Sequence, residues 1–391
     1  MIAARAIKTR ASFLVRLSTM GRVGLRMMFF DKAKLLGTLL GVVFAVVLVN
    51  QQLGIFLGLI YKNIMFVQNS RADIWITPPS TENLTAGKTL PNANLYAAKV
   101  TPGVAWAEPL LYGGGSVKTP SGGTEPITLV GTRYPRYVGG PWNIVAGDAQ
   151  RLSLPDTMFF EDSDRETLGG LNLGSMREVN GRRVTVGGFT WGLEPFGPSY
   201  AFADYETARE LLHTASDQCS YVLVGVESGQ DPSAVKAALQ AKMPGALVMT
   251  GAEFKGKIEY FLVFKQSLGV SFGTSTLFGL IVGFVIVALS MFSSVVDNVR
   301  EFGTLKAVGS TNFDLGMLLL VQSLTYAVLG SIIGLALVTR MAAGIRSAKL
   351  ALVLPPWLTF GTVAVMIVVC VTASSLALLR IRKVEPAMVF R

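Results

Sequence analysis

Residues 268–296 read LGVSFGTSTLFGLIVGFVIVALSMFSSVV, residues 297–314 read DNVREFGTLKAVGSTNFD, and residues 315–339 read LGMLLLVQSLTYAVLGSIIGLALVT. The outer two contain no Asp, Glu, Lys, Arg or His, and each is longer than the about 20 apolar residues that a helix needs to cross a bilayer. The middle one carries charge of both signs and belongs at a membrane surface. A span, a short polar connection and a returning span thus form the unit from which the rest is read. Residues 35–60 and 357–379 are further charge-free stretches of the same kind, so the chain reads as a membrane protein with four transmembrane helices. Composition agrees: 51% of the 391 residues are hydrophobic and only 15% charged, well below the roughly 25% of soluble domains.

Charge sets the orientation. Before the first span lie Arg5, Lys8, Arg10, Arg16, Arg22, Arg26, Lys32 and Lys34 against the single acid Asp31. The positive-inside rule therefore places the N-terminus in the cytoplasm, and four spans bring the C-terminus, with Arg380, Arg382, Lys383 and Arg391, back to the same side. Arg340, Arg346 and Lys349, in the external connection 340–356, oppose this weakly. The net charge of +10 flanks the membrane, because residues 61–266 hold 18 basic and 20 acidic groups. Anionic lipid headgroups, not nucleic acid, are the partner this implies. A signal peptide is the competing reading of the N-terminus. Its apolar core is shorter than this one, and no small-residue cleavage site follows Ile60. Residues 13–30 alternate apolar and basic groups as an amphipathic surface helix does, with a frayed tail as the alternative.

The layout expected is therefore a cytoplasmic N-terminal helix (1–34), span one (35–60), an extracytoplasmic domain (61–266), span two (267–296), a cytoplasmic connection (297–314), span three (315–339), a short external loop (340–356), span four (357–379) and a cytoplasmic tail (380–391). The interspan domain has the punctuation of an α+β fold. Residues 221–226 form an apolar β-branched strand, Asp231 and Pro232 an N-cap and first helical residue, 233–243 a helix and 246–250 a strand, which is a β-α-β unit. Further strands are read at 72–77, 126–131 and 183–186, the last after an Asn180-Gly181 turn. The expectation is a β-α-β lobe made from both ends of the domain plus a mainly β insertion.

Catalytic chemistry is sparse. Gly251 to Lys257 has the spacing of a phosphate loop, but Ile258 stands where a Ser or Thr must hold magnesium, so this segment reads as a turn before span two. Glu161, Asp162, Asp164 and Glu166 resemble a calcium loop faintly; Thr167 replaces its obligatory Gly, and a solvated loop is expected. His213 is the one histidine, which excludes an ordinary zinc site or a Ser-His-Asp triad, and it reads as a solvated helix end. Asn83-Leu84-Thr85 is a glycosylation sequon, a signal too common to use. Cys219 and Cys370 sit in different environments and make no disulfide framework. No metal site and no catalytic residue is read. With no ionisable group inside the spans, ion-coupled transport is disfavoured, and energy must come from another chain. Gly37 with Gly41, Gly54 with Gly58, Gly279 with Gly283, and Gly330 with Gly334 are G-x-x-x-G pairs for close helix packing, within one chain or across a dimer.

The connection 297–314 carries the remaining signal. Val299, Phe302, Leu305 and Val308 recur at three-residue spacing among Arg300, Glu301 and Lys306, which describes a short amphipathic helix. Gly309 suits a C′ position, and Thr311 with Asp314 a capping box opening span three. Such a helix either docks a partner or rests on headgroups.

The stretch Arg300-Glu-Phe-Gly-Thr-Leu-Lys-Ala-Val-Gly309, followed by a span with Gly330 and Gly334, resembles the signature of FtsX/MacB-like ABC transporter permeases. Phe29, Asp31, Lys32 and Ala33 leading into Leu36-Gly-Thr-Leu-Leu-Gly41 are similar to that family's approach to its first span, and the order of elements agrees over the whole chain. The resemblance implies that Val299, Arg300, Glu301, Phe302, Gly303, Leu305, Lys306, Val308 and Gly309 couple to a separate ABC ATPase dimer, with Phe302 and Leu305 filling its groove. It implies no cofactor on this chain, ATP and magnesium being held by the ATPase, and a stand-alone permease of an exporter in the bacterial inner membrane. It further implies a second copy of the chain, a periplasmic adaptor, an outer-membrane channel, and mechanotransmission from the spans to the external domain. An ATP-driven regulator of an envelope enzyme is the rival from another class; a membrane-bound enzyme is weaker, for want of a nucleophile with its base.

Overall fold

The computed structural model describes residues 19–84, 88–194, 197–344 and 352–382. In chain order these form α1 (19–30), α2 (Lys32–Asn69), β1 (Ile74–Thr77), β2 (Leu90–Pro91), α3 (Ala93–Lys99), β3 (Val104–Lys118), β4 (Thr124–Thr132), β5 (Ile144–Gly147), β6 (Thr157–Glu161), β7 (Met176–Val179), β8 (Arg182–Thr190) and β9 (Tyr200–Asp204). They continue as α4 (Tyr205–Leu211), β10 (Gln218–Cys219), β11 (Tyr221–Val226), α5 (Pro232–Lys242), β12 (Leu247–Thr250), α6 (Gly251–Tyr260), a π-helical turn (Phe261–Lys265), α7 (Leu268–Asp297), α8 (Val299–Ala307), α9 (Asn312–Gly344) and α10 (Pro356–Arg382). Among the described residues four helices are long and apolar enough to cross a membrane: α2, α7, α9 and α10. The basic residues before Thr19 and after Arg382, and Thr85 of the sequon, lie outside the described residues.

The chain divides into two units, and the division falls inside α2, between Phe56 and Leu57. In the helical unit small residues bring the backbones together. A Cβ on Gly334 would lie 2.7 Å from a methyl of Val46, and one on Gly330 would overlap Val42. Gly283 faces Ala45, Gly279 faces Leu48, and Gly41 faces Ile286, so α2 packs against both α7 and α9 within one chain. Gly54 lets the backbone before α10 approach, where Val353 donates its N–H to the Gly54 carbonyl at 3.1 Å. Gly37 is exposed and faces open space, while Gly58 is buried in the portion of α2 that belongs to the other unit. Of the helical spans, α9 is the most enclosed and α7 the least. Of residues 13–30, expected as an amphipathic helix, the described part is the helix α1, which sets Gly21 and Gly24 against Val321 and Leu318 of α9, with Gln322 donating to the Gly24 carbonyl at 2.9 Å. The glycines allow that approach, while Arg22, Arg26, Phe29 and Phe30 stay exposed.

The second unit is the interspan domain. α2 does not stop near Ile60: it runs on to Asn69 and buries Ile64, Phe66 and Val67 in the domain core. Ten strands form one sheet in the order β12-β1-β11-β3-β4-β9-β6-β8-β5, with β7 joining β3 and β8. β1 lies between β11 and β12 and is antiparallel to both, so β11-α5-β12 is a β-α-β unit split by a strand from the start of the domain. Asp231 caps α5 by accepting from Ser233 N–H at 3.0 Å, with Pro232 at the first turn. Asn180 and Gly181, both at positive φ, turn β7 into β8.

The strand faces alternate as a sheet buried on both sides requires. Ile74, Ile76, Val222 and Val224 pack with Leu95 of α3 and Leu239 of α5. Trp75, Tyr221 and Leu223 face the opposite side, where Phe66 lies 5.3 Å from Tyr200, 5.6 Å from Tyr112 and 5.9 Å from Trp142 between ring centroids. The β-α-β lobe and the mainly β lobe share strand β3, which pairs with β11 through its first half and with β4 through its second. One expectation changes here: Gly251–Lys257 is no turn but the start of α6, opened by a reciprocal capping box of Thr250 and Glu253.

These contacts predict that Gly330→Val destabilises the helical unit by about 1–3 kcal/mol, since the added branches meet Val42 head-on. Gly37→Ala, in open space within the helix, causes no loss and stabilises by up to about 1 kcal/mol. Thermal unfolding of the two purified variants in detergent measures both; equal melting temperatures would remove α2 from this groove.

Candidate functional site

α8 is held at both ends. Asn298, the one residue between α7 and α8, donates its N–H to the Ser294 carbonyl at 3.2 Å and accepts from Phe302 N–H at 3.0 Å, so the ladder passes through a kink. At the far end Gly309, φ +105°, is the C′ residue. Its N–H reaches the Lys306 carbonyl at 3.0 Å and Ser310 N–H the Leu305 carbonyl at 2.9 Å, the paired bonds of a Schellman motif. Only Ser310 separates this from the next cap. Thr311 Oγ1 accepts from Asp314 N–H at 3.2 Å, and Asp314 accepts from Thr311 N–H at 2.9 Å and from its hydroxyl at 2.7 Å. Both sequence-read caps are present, with Asp doing at the third position what Glu does in the usual box.

The faces of α8 differ from expectation in one respect that matters. Phe302 is 2% exposed and belongs to a core with Met28, Val295, Leu315, Leu318 and Leu319 of its own chain. It does not project toward a partner's groove. Gly303 is buried beside it, and Val299, Leu305 and Lys306 are half-buried. Val308 is 84% exposed, because α8 ends at Ala307 and the chain has already left the helical face. The outward set is therefore Arg300, Glu301, Thr304, Val308 and Gly309, with Phe313 exposed just beyond. The period-three stripe was legible, but a sequence cannot say whether an apolar stripe faces its own core or a partner.

Next to α8 a cavity of about 620 Å³ is lined by Arg26, Phe30, Lys32, Lys34, Asp297 and Glu301, among others. Sequence reading singled out neither its acidic side nor the ion pairs that shape it. Lys34 bridges Asp31 at 3.1 Å and Asp297 at 2.5 Å, tying the first turn of α2 to the last turn of α7. The Lys34 backbone N–H, at 3.2 Å, and its ammonium hold the Asp31 carboxyl below its ordinary range.

The remaining candidates fall elsewhere. His213 is exposed at the end of α4, and the backbone around it closes the helix, as read. Cys219 is buried, which pushes its thiol up to about 12 and makes it inert. The acidic loop is corrected: Glu161 and Asp164 are buried, not solvated, because they end β6 and the turn after it against the β8–β9 connection. No group of three or more His, Cys, Asp and Glu residues with metal-site geometry occurs among the described residues.

Known proteins resemble the chain in two parts. The family described as FtsX-like permease C-terminal matches residues 273–386, and the family described as MacB-like periplasmic core domain matches residues 35–242, more than half of the chain. Among solved structures the chain is similar to the extracellular domain of the noncanonic ABC-type transporter YknZ from Gram-positive bacteria. The identity is 19% and the TM-score 0.34, over 45% of this chain and 98% of that one. It is also similar to the periplasmic region of MacB from Actinobacillus actinomycetemcomitans, at 12% identity and a TM-score of 0.36, over 48% and 94% of the two chains. A search of curated proteins finds no match.

The burial pattern predicts that Phe302→Asp unfolds this end of the helical unit, since a carboxylate replaces an aromatic ring inside an apolar core, at a cost of about 3 kcal/mol or more. Val308→Asp costs less than about 0.5 kcal/mol. Limited proteolysis between α7 and α9 should separate the two, and equal resistance would place Phe302 on the surface after all.

Proposed function

The chain belongs to the FtsX/MacB-like family of ABC transporter permeases, and on that premise we propose that it is a stand-alone permease subunit of an exporter whose ATPase is a separate subunit docking on α8. Both family matches fall in the family's order, the MacB-like part from the first span into the interspan domain and the FtsX-like part over the last three spans. The observation that carries the docking assignment is the two-sided burial of α8. Its apolar side is fixed in the chain's own core by Phe302, and its outward side presents Arg300, Glu301, Thr304 and Val308 on a frame locked by two caps. A rigid helix with a polar outward face and one apolar residue at its tip suits a transmitting contact, because little is lost in ordering it on binding.

In this reading two copies of the chain pair with two ATPase subunits, and closure of the ATPases on ATP moves α8. Because α8 is joined to α7 through Asn298 and to α9 through the capped segment 308–311, its displacement passes into both spans. α9 packs on α2 through Gly330 and Gly334, and α2 continues into the interspan domain as far as Phe66. The packing of α9 on α2 and the length of α2 support a reading of mechanotransmission, with no pore required. The four charge-free spans agree with a machine whose energy arrives from another subunit. The membrane is the bacterial inner membrane, both termini cytoplasmic. A periplasmic adaptor and an outer-membrane channel are the further partners proposed. ATP and magnesium are held by the ATPase, and this chain contributes no cofactor site.

Purification of the tagged chain from native membranes should bring an ABC ATPase subunit with it. Val308→Asp and Arg300→Glu should each reduce the recovered ATPase by about tenfold, equivalent to about 1.4 kcal/mol of contact, while circular dichroism and gel filtration stay as in the wild type. Undiminished recovery with both variants would refute docking on α8.

A further inference from the structure

The cavity beside α8 holds charges of both signs that the chain does not pair with one another. Lys34 is engaged: its ammonium bridges Asp31 at 3.1 Å and Asp297 at 2.5 Å. Asp31 uses both oxygens on Lys34, one for the backbone N–H and one for the ammonium. Asp297 uses only Oδ2, for Lys34 and for the Ser293 hydroxyl at 3.1 Å, which leaves Oδ1 its acceptor capacity. Arg26, Lys32 and Glu301 line the same space, and among the described residues none of the three makes an ion pair. Asp297 and Glu301 stand four positions apart, where like charges repel unless a cation lies between them. Two cations and two carboxylates thus face one cavity of about 620 Å³, a size within the roughly 300–1,000 Å³ of small-ligand sites.

Beyond the charges the surroundings are apolar and open. Phe30, on the cavity wall, is 91% exposed, and Phe29 beside it 55%. Exposed rings next to basic residues at the end of a span suit a headgroup layer, where one side is apolar and the other wet. The spans extend this surface. α2 meets α7 through Gly41 on Ile286, Ala45 on Gly283 and Leu48 on Gly279, a reversed order that makes the two helices antiparallel. At about 100° per residue, the exposed Leu36, Leu40 and Phe44 lie roughly 110° around α2 from that contact, and the exposed Leu289, Phe292 and Val296 lie roughly 110° around α7 in the same sense. Equal rotations on antiparallel helices point to the same side. The two apolar rows therefore flank one groove, and both begin at the cavity: Val296 adjoins Asp297, and Leu36 lies two residues after Lys34.

From this arrangement we infer that the cavity binds a phospholipid whose headgroup carries both a phosphate and a primary ammonium. The phosphate meets Arg26 and Lys32, the ammonium meets Glu301 and Oδ1 of Asp297, and an acyl chain lies along the groove between α2 and α7. Arginine and lysine are the side chains that hold phosphate, the first as a fork and the second as a point charge. An ammonium between Asp297 and Glu301 relieves their repulsion and supplies N–H donors to both. An anionic headgroup without an amine leaves that repulsion in place and adds to it, and a trimethylated ammonium has no N–H to donate. Such a lipid joins the start of α2 to the first turn of α8, so the membrane itself steadies the helix. The inference rests on the four spans and not on an ATPase docking on α8, and it survives the failure of that reading.

The test is native mass spectrometry of the full chain, purified in detergent without any ATPase and titrated with phosphatidylethanolamine, phosphatidylcholine or phosphatidylglycerol of identical acyl chains. The wild type should hold phosphatidylethanolamine about tenfold more tightly than either of the others. Glu301→Gln should reduce that preference to about twofold or less, and the double variant Arg26→Gln, Lys32→Gln should weaken all three lipids by about tenfold. Glycerophosphoethanolamine, the same headgroup without chains, should not displace the lipid at equal concentration; displacement would make the ligand a soluble phosphoamine and overturn the lipid assignment. Equal retention of the three lipids, tighter retention of phosphatidylglycerol, or an unchanged preference in Glu301→Gln also overturns it. Should a variant fail to fold, the ethanolamine-to-choline comparison on the wild type still decides.

Discussion

Everything in this protein hangs on α2 being one uninterrupted helix from Lys32 to Asn69. At about 1.5 Å per residue its 38 residues reach some 57 Å, against roughly 30 Å of hydrocarbon, so more than a span is built. The two ends are fixed by unlike means. Near the start Asp31 caps the helix and Lys34 bridges to α7; near the end Phe66 enters a ring of aromatics and Arg71, at φ +61°, turns the chain away. Val42 and Val46 fill the space opened by Gly330 and Gly334, while Ile64 and Val67 fill the underside of a β-sheet. One helix thus contributes side chains to two cores.

Burial of Phe302 changes how α8 is understood. A coupling helix whose apolar residues point at a partner would be poorly ordered without it. Here the helix is ordered by its own chain, and the partner would meet a finished surface. The cavity beside α8, with its three cations and three carboxylates, is continuous with that surface and is shaped by the Lys34 bridges.

The legible parts of the sequence were those governed by length and by local chemistry. Charge-free runs gave the spans; Asp231-Pro232, Asn180-Gly181, Gly309 and Thr311 with Asp314 each stated a local bond that the structure makes. What escaped depends on distant partners. Tyr61-Lys62-Asn63 looks like the end of a span, yet Lys62 finds a carbonyl 130 positions away and the helix continues. Gly113 to Gly115 break the apolar alternation of β3, but Leu212 and Ile127 lie over Gly113 and Gly115 and need that room. Gly251 and Gly256 suggested a loop, although Thr250 and Glu253 carried the capping signal that opens α6. The acidic run around Glu161 gave no sign of burial, since composition counts charges as solvated.

The sheet bears on how such a domain diversifies. β3 belongs to both lobes, and the aromatic core draws Trp75 and Tyr221 from one and Phe159, Tyr200 and Phe202 from the other. The β lobe of this chain cannot therefore be exchanged as a cassette without unpicking a shared ladder and the seat of Phe66. Novelty has to be grafted where the sheet ends, at β5 and β12, or on the long connections between strands. The recognising surface of such a protein is free to change character while its interior stays committed.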